Sequence, residues 1–269
     1  MRAELPAQVV ELVDAFRNPL KQIELLYLLA QAGILEPVLV DAETAARMVR
    51  PYAWFLDRVG TEGIKFTSHG WLPPAHVAAA VAELGLAGEC HGMSNRESTT
   101  LPVLDLRESA MRLGLLRISK GTLLATPRGR KLRDDTVALW WHLAEHLPPA
   151  KLARNETHAG LLLLAATAAG PLAGPDPLGY VARMLHEAGW RDSDGAPITD
   201  EHARRAAADT HVALIRLGAL VQDWQKLADT EEATRDGAAF ARSALCAWPA
   251  SACSALAVLR QEIISISSL

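Results

Sequence analysis

The chain of 269 residues is half apolar and 22% charged, with a formal net charge of −4. That is enough length and apolar content for one or two compact cores, and it excludes wholesale disorder. The near balance of charge excludes a whole-chain attraction to nucleic acid or to a membrane surface, so any electrostatic signal has to be local.

The N-terminal stretch MRAELPAQVVELVDAF carries Glu4, Glu11 and Asp14 among its apolar residues and lacks the basic-then-apolar order of a secretion signal. Apolar residues at helical spacing predict helices over 5–17, 20–32 and 42–59, with Asn18-Pro19 and Pro37 in the breaks. GIKFTSHGWLPP (63–74) reads as a short strand closed by Gly70 and Pro73-Pro74, feeding the helix AHVAAAVAELG. Residues 86–101 are rich in Gly, Ser, Thr and Asn and predict a loop. A helix after Pro102 stops at Gly114, LLRIS and TLLAT flank Lys120-Gly121 as a hairpin, and Thr126-Pro127 opens the next helix with a cap and a first-turn proline. GLLLLAATAAGPLAG breaks at Gly170-Pro171 and is too short to span a bilayer. Asp192-Ser193-Asp194-Gly195 lacks calcium-loop spacing and reads as a turn. Cys90, Cys246 and Cys253 form no C-x-x-C, which suits a reducing cytoplasm better than disulfides or a cysteine zinc site. The expectation is a cytoplasmic protein with no membrane partner.

Helix, hairpin, helix is the order of a winged helix. The fold expected is mostly α: an N-terminal helical segment over 1–60, a winged helix over 61–148, and a helical C-terminal domain over 149–269. An echo supports a second unit, because RLGLL (112–116) recurs as RLGAL (216–220) and ATPRGRKL (125–132) loosely as ATRDGAAF (233–240). If the echo is a true repeat, the C-terminal half holds a second, degenerate winged helix. The apolar run AFARSALCAWPASACSALAVLR then serves burial inside the monomer or an interface.

Two local patterns bear on function. His142, Glu145 and His146 spell H-x-x-E-H, which supplies two zinc-ligating histidines and a catalytic carboxylate in inverted zinc peptidases. On a helical wheel, however, all three fall on the polar side opposite Leu139, Trp140 and Leu143, so a solvated face explains them and a metal-dependent hydrolase is the lesser alternative. No phosphate-cradling glycine loop, nucleophile elbow or dinucleotide fingerprint occurs, and no cofactor is implied. The second pattern is charge. Between 96 and 133 nine basic residues face three acidic ones, whereas 201–247 carries six against seven. Arg112, Arg117, Lys120, Arg128, Arg130 and Lys131 are the candidate phosphate contacts on the wing and its flanking helices. The helix in the reading position matches less well, since Asp105, Glu108 and Ser109 share its polar face with Arg112.

The stretches AWFLDRVGTEGIKFTSHGWLPPAHV, LDLRESAMRLGLLRISKGTLLATPRGRKLRDD and VALWWHLAEHLP together resemble a group of actinobacterial proteins related to the C-terminal region of the plasmid open-reading-frame-three-like family. The likeness covers about residues 53–148, without the separate domain that usually precedes this region in that group. LGLLRISKGTLLATPRGRKL is also similar to the helix-wing-helix junction of MarR-type regulators. These resemblances imply a winged-helix fold and bring no catalytic residues. The leading expectation is a non-catalytic protein that binds duplex DNA through the basic wing, in regulation or on mobile elements. The rival is a protein-interaction module, with a partner or as a homodimer.

Overall fold

The computed structural model describes residues 5–90, 95–174, 176–222 and 231–247. Helix dominates it. The chain runs through α1 (Ala7–Ala15), α2 (Pro19–Gln31), α3 (Ala42–Val59), β1 (Ile64–Lys65), α4 (Pro74–Leu84) and α5 (Leu101–Arg112). A hairpin of β2 (Leu116–Ser119) and β3 (Thr122–Ala125) leads to α6 (Pro127–Leu132) and α7 (Thr136–Glu145). The second half holds α8 (Arg154–Ala169), α9 (Pro177–Glu187), α10 (Asp200–Ala206), α11 (Ala208–Arg216), β4 (Leu220–Gln222), β5 (Glu231–Ala233) and α12 (Arg235–Ala247). The helices and the hairpin expected from the sequence lie within a few residues of these bounds, and the expected loop at 86–101 contains only two short 3-10 turns among its described residues. The tail beyond 247, with Cys253, lies outside the described residues.

Local chemistry sets most boundaries. Asn18 and Asp41 cap α2 and α3 by accepting from the Leu20 and Thr44 amides. Gly114, at φ 73°, ends α5. Lys120 and Gly121 both take positive φ, 51° and 73°, so a two-residue turn of the primed kind joins β2 to β3 with Ser119 opposite Thr122. β1 adds to this hairpin with Ile64 opposite Leu123, in the antiparallel order β1-β3-β2. Ile64, Leu116, Leu123 and Ala125 face the core, while Arg117 and Ile118 point to solvent. The Asp192 carboxylate accepts from the Asp194 and Ala196 amides, so that stretch is a side-chain-closed turn.

α8 is the centre of the molecule. Every residue from His158 to Ala169 is buried, so the helix has no wet face and needs neighbours all round. α12, α9, α11, α2, α10 and α1 supply them. Gly160 allows the closest approach, because a Cβ there would lie 2.6 Å from Thr210 Oγ1 and within 3 Å of Pro148. α12 fills the space between α8 and α7, where Phe240 meets the buried Trp140 edge-on at 5.2 Å between ring centroids. The Trp140 indole N–H reaches back to Met48 of α3 at 3.4 Å. No single helix among the described residues is long and apolar enough to cross a membrane.

The sequence echo is repeated bond for bond. At the end of α5 the Leu113, Gly114 and Leu115 amides donate to Ser109, Met111 and Ala110; at the end of α11 Leu217, Gly218 and Ala219 donate to Ala213, Ile215 and Leu214. Thr126 donates through its hydroxyl to the Gly114 carbonyl and accepts from Gly129; Thr234 does the same with Gly218 and Gly237. A Cβ on Gly129 or Gly237 would press against the carbonyl of Leu115 or Ala219, backbone atoms that cannot swing aside. Gly129→Ala and Gly237→Ala are each expected to cost about 1–3 kcal/mol in urea denaturation, while Gly88→Ala, in open space, costs under about 0.5. A neutral Gly237→Ala would break the equivalence of the two junctions.

Candidate functional site: a basic hairpin and a cavity between α5 and α11

The H-x-x-E-H face is divided by the fold rather than uniformly wet. Glu145 and His146 are exposed, but His142 is 3% exposed and its Nε2 lies 2.9 Å from the Leu113 carbonyl. A carbonyl only accepts, so Nε2 carries the proton, and Nδ1 is left buried without a partner. The expectation of a solvated His142 is therefore corrected: the ring ties α7 to the end of α5. His146 packs over it at 4.0 Å and donates through Nδ1 to the His142 carbonyl. Both rings are thus turned to main-chain carbonyls. Among the described residues no group of three or more His, Cys, Asp or Glu is placed to hold a metal.

The polar face of α5 is also occupied. α5 packs against α11, and Arg112 is ion-paired with Asp209 of α11 as well as with Glu108 at 3.5 Å. Ser109 is buried and shares a 2.7 Å hydrogen bond with Tyr52, while Asp105 and Glu108 are half-buried. The polar face of α5, expected to be exposed, is packed against α11. Arg107 is buried too: Nε donates to Glu97 at 2.5 Å, the guanidinium lies 5.4 Å over the Phe66 ring, and Glu97 also accepts from the Leu72 amide. This buried pair holds the segment before α5 against the helix; losing either partner would strand a buried charge.

The remaining candidate cations face outward. Arg117 on β2, Lys120 at the hairpin tip, and Arg128 and Lys131 on α6 are exposed and form no ion pair among the described residues. Arg130 is exposed and donates to the Ala125 carbonyl at 2.8 Å.

Residues of α5, α10, α11, β4 and β5 line a cavity of about 750 Å³. Glu231, 3% exposed, accepts from His211 at 2.7 Å and Arg204 at 3.3 Å. Burial alone would raise its pKa, but the His211 hydrogen bond and the charges of His211 and Arg204 outweigh it and hold the carboxylate below its ordinary range. Arg216 pairs with Glu89 across the opening. Asp105 moves the other way: burial raises its pKa against the pull of Arg216, His211 and Arg112. Burial and Glu89 likewise push up the Cys90 thiol. Sequence reasoning missed this site because its charged residues come from α5, α10, α11, β5 and the turn after α4, with no spacing to betray them.

Comparison with protein-family models, curated proteins and solved structures returned no match.

Burial, above all, lowers the His142 pKa from 6.5 to about 4, since a second proton would sit on the unpartnered Nδ1. Between those values the unfolded chain binds more protons than the folded one. Stability from this residue is complete above about pH 6.5 and is lost as pH falls toward 4, by at most about 1.4 kcal/mol per pH unit. Burial lowers His158 and His76 as well, adding the same sign. Urea midpoints at about pH 7, 5.5 and 4.5 are expected to fall less steeply for His142→Gln than for the wild type.

Proposed function

We propose that this chain is a non-catalytic winged-helix protein that binds duplex DNA by its phosphates, through the β2–β3 hairpin and the start of α6. The order α3, β1, α4, α5, β2, β3 with sheet order β1-β3-β2 supports the winged-helix reading. In this reading α3 is its first helix, so the unit begins at Ala42 rather than at residue 61, and α8 to α12 form a degenerate second unit. A place among the cytoplasmic plasmid- or MarR-like regulators belongs to the same proposal.

The observation that carries it is the division of the basic residues. Arg107, Arg112 and Arg133 have acidic partners, whereas Arg117, Lys120, Arg128 and Lys131 stand exposed without one among the described residues. Unmatched cations on a hairpin tip and a helix start suit a phosphate backbone, which supplies most non-specific affinity. With α5 covered by α11, no base-reading role is assigned to it.

Duplex binding across a salt series tests this. The wild type is expected to show a steep slope of log K against log salt, which falls by up to about four in an Arg117/Lys120/Arg128/Lys131→Ala variant. Arg112→Gln leaves the slope unchanged. Absence of binding near about 50 mM salt defeats the reading.

A second reading, self-association through α2, is favoured by Leu20, Ile23 and Tyr27, which share one face at 71%, 61% and 65% exposure. Sedimentation is expected to show a dimer that Ile23→Glu converts to monomer; a wild type that is monomeric at every concentration removes it.

A further inference from the structure

We propose that the cavity between α5 and α11 is a binding site for a small amphipathic molecule with an apolar body and one amine. The site goes beyond the nucleic-acid reading and stands without it. Its volume of about 750 Å³ falls in the range of small-molecule sites. Leu101, Pro102, Val212, Ile215, Leu220 and Val221 give it aliphatic walls that would hold such a body.

The charges select the head group. Glu231 is matched by His211 and Arg204, and Glu89 by Arg216. Arg112, which faces the far side of Asp105, is matched by Asp209. Asp105 is left over. It lines the cavity, half-buried, and has no hydrogen bond or ion pair among the described residues. Burial raises its pKa against the pull of Arg216, His211 and Arg112, none of which bonds to it. Among the described lining residues the acids are Glu89, Asp105 and Glu231, and of these Asp105 alone has no hydrogen bond. An amine gives Asp105 its missing donors. An anion would meet three carboxylates while both arginines are already engaged.

Three fluorescent probes with a common apolar body separate the outcomes: dansylcadaverine (an amine), dansyl-6-aminohexanoate (a carboxylate) and N-pentyl dansylamide (neutral). The full chain is expected to bind the amine with blue-shifted emission, at least about tenfold tighter than the carboxylate. Asp105→Asn abolishes that preference and leaves the neutral probe within about twofold, and Val212→Trp, which fills the cavity, removes all three. Equal binding of amine and carboxylate, retention of the preference in Asp105→Asn, survival of binding in Val212→Trp, or no binding by any probe overturns the proposal. The three-probe comparison needs no variant, so it decides the matter even where a substitution unfolds the chain. Neither result bears on the salt slope for DNA, so the two readings fail separately.

Discussion

α8 must be covered on every side, and most of the architecture follows from that requirement. A helix built from Leu161 to Ala169 has no polar stripe to offer water, so it is stable only when neighbours enclose it. α12 answers from one side and α9 from another, and α11 is drawn close where Gly160 permits. Because α12 is shared with α7 through the Trp140–Phe240 contact, covering α8 also binds the first half of the chain to the second. The two halves therefore cohere through one core, rather than being joined as beads by a linker.

The repeated junction shows how one backbone solution serves two different surfaces. Thr126 and Thr234 latch a glycine-tight turn in both copies, so the path from helix to hairpin to helix is fixed by the same few bonds. Outside the latch the copies diverge. The first keeps unmatched cations at its hairpin; the second turns Glu231 inward onto His211 and Arg204. The corresponding helices α5 and α11 lie against each other, with Arg112 and Asp209 sealing the contact.

What was legible in the sequence was local. Asn18-Pro19, Gly114, Lys120-Gly121 and Thr126-Pro127 announce starts, stops and turns because their chemistry acts within a few residues. The recurrence of the latch residues was visible too, since Thr126 and Gly129 return in order as Thr234 and Gly237. Whatever depended on a distant partner was not. The helical wheel put His142 on the polar side correctly, but the wheel cannot know that the Leu113 carbonyl waits there. Arg112 looked like a phosphate contact because Asp209 lies almost a hundred residues away. The cavity was invisible for the same reason, as its walls meet only once α11 packs on α5.

α5 is the element common to the hairpin and to the cavity. Leu101, Pro102 and Asp105 at its start line the cavity, and Gly114 to Leu116 at its end lead directly into β2. Twelve residues of continuous helix give a rigid body about 18 Å long between the two. A ligand at one end moves the other only if it binds two arrangements of α5 with different affinity. The contacts that hold α5 are unequal. The Tyr52–Ser109 and Arg107–Glu97 bonds are buried, and His142 fixes the helix end from α7. By contrast, the Arg112–Asp209 pair is half-exposed at its arginine. The bonds that tie α5 to α3 and α7 are therefore the buried ones, and its ion pair with α11 is the more exposed.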